Sequence, residues 1–112
     1  MASSLEADLE NRVRALLGNT PAVREVRMFG GLCFMRNGNM VVSTMKDGEL
    51  LVRTGPEGRE AALKRPGARP MAMNGREMKG YVIVSASHLG DTALREWIAL
   101  ATVFVDGLPP KP

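Results

Sequence analysis

Gly30-Gly31 is the first stretch of this chain whose residue types could do chemistry. A glycine-rich loop that cradles phosphate joins a strand to a helix, so that the helix N-terminus faces the anion. In this chain Gly31 leads into Leu32-Cys33-Phe34-Met35 and then Asn37-Gly38, a short apolar run and a hairpin-turn dipeptide. That pattern predicts a strand after Gly31, not a helix. The glycines are therefore read as backbone geometry, a tight reversal or a bulge that residues with a Cβ avoid. Cys33 and His88 are the only cysteine and histidine. A nucleophile needs a base in reach and a third group to orient that base. Cys33 lies mid-strand among apolar neighbours and His88 in a turn before the last helix, so the cysteine is read as a small core residue. Seven of the eight methionines fall between Met28 and Met78. With Cys33 they form a soft donor set of the kind that holds Cu(I). They are spread over several strands, however, and the reading preferred is an adaptable core or contact surface. No catalytic residue, metal ligand or cofactor is assigned.

Charge is placed unevenly. Net charge is +3, and residues 53–79 carry seven basic against three acidic side chains. If an anion or nucleic acid binds, Arg65, Arg69, Arg76 and Lys79 are the contacts expected. A patch this mild serves solvation equally well, and only weak, nonspecific nucleic-acid binding is expected of it. Five aromatic residues in the whole chain leave few platforms on which bases could stack.

The elements that position these residues are set by periodicity. Leu5, Leu9, Val13, Leu16 and Leu17 form one stripe of a helix over 5–17, with Ser4 as N-cap and Gly18 as its end. Asp8 with Arg12 and Glu10 with Arg14 have the spacing of i,i+4 ion pairs. Strands are predicted at Glu25–Phe29, Leu32–Arg36, Met40–Met45 and Glu49–Arg53, separated by Gly30-Gly31, Asn37-Gly38 and Asp47-Gly48. A short helix is expected over Pro56–Lys64, a loop over 65–70, a brief pairing at Met71–Met73 and a last strand over Lys79–Ser85. The final helix spans 92–105, with Asp91 as N-cap and Leu94, Trp97, Ile98, Ala101, Phe104 and Val105 as its buried stripe. The Pro-rich tail after Gly107 is expected to be extended. This order makes an α+β domain on an antiparallel β-meander sheet, flanked by an N-terminal and a C-terminal helix, with residues 1–112 as one domain. Nothing approaches a membrane span or a secretory signal, which points to the cytoplasm.

Met28-Phe29-Gly30-Gly31, Met71-Ala72-Met73, Arg76-Glu77-Met78-Lys79-Gly80-Tyr81, Trp97 and Leu108-Pro109-Pro110-Lys111 together resemble the TfoX N-terminal domain family. That family includes the front half of the TfoX/Sxy regulators of natural competence. The resemblance runs from about residue 5 to residue 111 and implies a sandwich similar to secretion-chaperone-like domains. It carries no catalytic set. Met28, Phe29, Gly30 and Gly31 enter as a structural motif. The competence regulators are longer and carry a second, C-terminal helical domain, so the resemblance is to their front domain alone.

The function expected is that of a small non-enzymatic binding or adaptor domain acting through protein contacts. The rival is a nucleic-acid-associated regulator using the basic segment; an enzyme ranks last. The strands themselves hint at a partner. Leu32 and Phe34 oppose Cys33 and Met35, Leu50 and Val52 oppose Leu51, and Val82 and Val84 oppose Tyr81 and Ile83. Both sheet faces are apolar, and both need cover. Two long helices could take one face each. Otherwise an uncovered face calls for a partner protein, with a symmetric homodimer the simplest.

Overall fold

The computed structural model describes residues 4–17, 22–28 and 30–111, the side chains of Ser4 and Met73 apart. In chain order the elements are α1 (Ser4–Leu17), β1 (Val23–Met28), β2 (Gly31–Arg36), β3 (Asn39–Thr44), β4 (Leu50–Arg53), α2 (Arg59–Leu63), β5 (Ala68–Met73), β6 (Arg76–Val84) and α3 (Asp91–Asp106). Short 3-10 turns lie at Lys46–Gly48 and Ala86–His88.

The strands form one antiparallel sheet in the order β1-β2-β3-β4-β6-β5. Three hairpin turns make the first four strands a meander, as the Gly-containing dipeptides predict. Asn37 and Asp47 sit at positive φ, each succeeded by a glycine that does the same. The chain then crosses through α2 to the far edge, and β6 returns between β5 and β4. The predicted loop over 65–70 is in part strand: Ala68, Arg69 and Pro70 pair with Val84, Ile83 and Val82. Pro70 is tolerated because β5 is an edge strand, where a missing N–H costs no inner ladder bond.

Both long helices lie on the same face of the sheet. Leu9, Val13 and Leu17 of α1 and Leu94, Trp97, Ile98, Ala101 and Val105 of α3 share one core with Leu32, Phe34, Val42, Leu50, Val52, Val82 and Val84. Of the two arrangements that the sequence leaves open, the helices do not take one face each. The physical reason is that α1 and α3 also bury apolar area against each other, which two separated helices would forgo. Leu5 and Leu16 do not join the stripe predicted for them and stay 59% and 40% exposed.

Ion pairs at the helix edges also depart from local spacing. Asp8 does approach Arg12 (3.9 Å). Glu10, however, accepts from both Nη atoms of Arg27 on β1 (2.9 and 3.2 Å), and Arg14 donates to both Glu25 oxygens (2.6 and 2.8 Å). Two bidentate pairs across elements thus replace one i,i+4 pair within a helix, because the guanidinium fork fits a carboxylate facing it. Arg12 donates to the Leu89 carbonyl (2.6 Å) and to Asp91 (3.1 Å), tying α1 to the start of α3. Asp91 is the first residue of α3 rather than its cap; Gly90 takes the cap position. Ser4 likewise begins α1, and Gly18 lies outside the described residues. The helix expected over Pro56–Lys64 shrinks to five residues, with Pro56 in the turn before it. The tail is fastened down: Lys111 N–H donates to the Asn37 carbonyl (2.8 Å), and the buried Asn39 side chain donates to the Pro109 carbonyl (3.1 Å).

Candidate functional site

The β1–β2 connection resolves the chemistry of Gly30-Gly31 into two different backbone demands. Gly30 sits at φ 78° with open space where a Cβ would stand. A side chain there is strained by its backbone angle and not by its neighbours. Gly31 begins β2, and a Cβ on it would collide with the Thr44 carbonyl of β3. Phe29 lies outside the described residues, and Met28 is half-buried at the end of β1.

The sheet face away from the helices holds a cavity of about 200 Å³. Cys33, Ser43, Thr44 and Met71, all buried, belong to its inner wall. Met40, Met45, Leu51, Met78 and Tyr81 are half-buried and stand around them. None of the nine is an aspartate, glutamate, lysine, arginine or histidine. Cys33 Sγ donates to Ser43 Oγ (3.3 Å), and Ser43 Oγ donates to the Thr44 carbonyl (3.1 Å), so the polar atoms of the wall satisfy one another.

Two irregularities of the sheet build this cavity. Phe34 pairs with Val42, but Met35 pairs with Met40, so Val41 is an extra residue in β3. Such a bulge reverses the in-out alternation beyond it. It lets Val41 and Val42 both enter the core, and it brings Met40 to the same side as Ser43. Toward the other edge of the sheet, Pro70 pairs with Val82 and Ala72 with Glu77. Across that interval β5 advances two residues and β6 five. The slack is taken up around Gly80, at φ 98°, whose carbonyl accepts from the Thr54 and Gly55 amides (2.8 and 3.0 Å). Met78 and Tyr81 therefore line one cavity although they are three residues apart. Strict alternation would have placed them on opposite faces. Along the sequence the methionines are dispersed over several strands; the structure gathers four of them, with Cys33, at one place. The signal that could have exposed this is Gly80, a glycine inside a strand pattern.

The four candidate anion contacts are not gathered in this way. Arg65 pairs with Glu96 (3.5 Å) and its guanidinium stands over the Trp97 ring (5.4 Å). Arg69 pairs with Glu49 (2.7 Å). Arg76 and Lys79 are exposed on β6. Arg69 and Met73, the residue paired with Arg76, sit at opposite ends of β5, about 13 Å apart along the strand. His88 is exposed in its 3-10 turn, where its ring packs over Gly67, while Cys33 is buried on β2. Among the described residues no helix is long and apolar enough to cross a membrane.

No curated protein and no solved structure was found to match the chain. A protein family does: the TfoX N-terminal domain covers residues 15–104, from the last turn of α1 through Phe104 of α3, and the chain belongs to that family.

Proposed function

We propose that this chain is a small non-enzymatic binding domain that works by protein contact, and that its contact surface is the uncovered face of the sheet. Membership of the TfoX N-terminal domain family supports a regulatory-type domain. The observation that carries the reading is the placement of both helices on one face, which leaves Met40, Met45, Leu51, Met78 and Tyr81 half-exposed on the other. An apolar patch of this kind is costly to leave in water, and flexible methionines adapt to a partner. A second copy of the chain is the simplest partner, because a two-fold pairing buries the same patch on both protomers. Light scattering coupled to size exclusion tests it. The expected mass is twice 12.1 kDa for the native chain, falling to 12.1 kDa for Leu51→Glu with an unchanged circular dichroism spectrum. A native mass of 12.1 kDa from micromolar to millimolar concentration overturns the dimer.

A second reading, weak contact with nucleic acid, is favoured by one observation: the exposed Arg76 and Lys79 have no ion pair among the described residues. Against it, Arg65 and Arg69 already hold carboxylates.

A further inference from the structure

We infer that the cavity on the uncovered face is a binding site for a compact, neutral, mostly apolar molecule about the size of one aromatic ring system. This goes beyond protein contact, although it rests on the same reading of that face as a binding surface. Volume sets the size. Apolar cavities of about 150 Å³ admit benzene, and drug-sized ligands take about 300 Å³ or more. The cavity here, at about 200 Å³, lies between them.

Charge sets the class. Among the described residues no lysine, arginine, aspartate or glutamate is in the lining of the cavity. Arg53 stands beside two residues that are, its guanidinium 5.8 Å from the Tyr81 ring centroid and donating to the Met40 carbonyl (3.4 Å). A phosphate, a carboxylate or an ammonium group inside the cavity would meet no counter-charge in the lining itself, and an unpaired buried ion is strongly disfavoured. The polar atoms of the wall are also committed, since the Ser43 hydroxyl proton already goes to the Thr44 carbonyl. Tyr81 adds an aromatic ring to the lining. Methionine fits the task at the walls, because an unbranched thioether with three rotatable bonds moulds itself to a flat ring and contacts it favourably.

The test uses the full chain carrying 13C-methyl methionine. Titration with indole is compared with titration by benzoate, which is of similar size but charged. Saturable shifts are expected at the methyls of Met40, Met45, Met71 and Met78 and not at Met28 or Met35, which do not line the cavity. Indole should bind at least about tenfold more tightly than benzoate. Cys33→Leu fills the inner wall without altering the half-exposed rim. It should weaken indole about tenfold or more while leaving the light-scattering mass as in the native chain. Absence of saturable shifts, equal shifts at all methyls, or equal affinity for benzoate overturns the site. Undiminished binding by a folded Cys33→Leu does the same. The two-fold pairing would cover the rim of this cavity, so the titration is run on chain diluted to a mass of 12.1 kDa. A native chain that never dimerises yet binds indole retires the dimer and keeps the site, and one that dimerises but ignores indole in its monomeric form does the reverse.

Discussion

Replacing Gly31 with alanine should destabilise the fold through a single atom, and the cost can be worked from its surroundings. The new Cβ would overlap the Thr44 carbonyl oxygen. Relief requires β2 and β3 to part at this end of their ladder. Overpacking of this kind costs about 1–3 kcal/mol. The same movement pulls Leu32 N–H from Thr44 Oγ1 (3.0 Å), a buried hydrogen bond whose loss costs about 1–3 kcal/mol if the donor stays unpaired. Together the two effects come to about 2–6 kcal/mol. With a urea m-value of roughly 2 kcal/mol per M, the unfolding midpoint should fall by about 1–3 M. Gly30 provides the contrast. No atom opposes a Cβ there, but φ is 78°, so Gly30→Ala should cost about 1–2 kcal/mol and Gly30→Asn less, since asparagine tolerates the left-handed region. The assay is urea unfolding tracked by circular dichroism, in buffers with and without phosphate. A Gly31→Ala midpoint within about 0.3 M of the native value would refute the steric argument. Stable variants whose loss appeared only as weaker phosphate affinity would restore the cradle reading.

Two further outcomes are expected. Hydrogen bonds from Arg14 hold the Glu25 carboxyl below its ordinary value of 4.5, so the stability this provides is present above pH 4.5 and is lost as the pH falls through the lowered value. The native chain should therefore lose stability more steeply than Glu25→Gln below pH 4.5 in urea melts. Parallel curves would show the pair to be inert, and salt at about 1 M should shrink the difference because both side chains are partly solvated. Duplex DNA should bind with a dissociation constant of about 10⁻⁴ to 10⁻⁶ M at physiological salt, with no sequence preference, and removing Arg76 and Lys79 together should flatten the salt dependence. Tight binding to one sequence by fluorescence anisotropy would overturn that expectation.

Much of the fold is legible in the sequence because its determinants are local. Asn37-Gly38, Asp47-Gly48 and Asn74-Gly75 adopt the positive φ values that such dipeptides favour, and they mark three of the turns. Alternation identifies the inward sets Leu32/Phe34, Leu50/Val52 and Val82/Val84, and helical spacing identifies most of the α3 stripe. Local signals also mislead where a distant partner wins. Glu10 and Arg14 have the spacing of a helical pair, yet each finds a better-oriented partner on β1. Arg69-Pro70 reads as loop, yet edge pairing with β6 tolerates the proline.

Composition and period determined that this is an antiparallel sheet with two amphipathic helices and that both sheet faces are apolar. Tertiary structure decided which face the helices cover, because that choice depends on the area α1 and α3 gain against each other, which no window of sequence contains. It also decided the cavity. An extra residue at Val41 and the slack around Gly80 rotate Met40 and Met78 toward Cys33, and a slip of register is a property of two paired strands rather than of either strand alone.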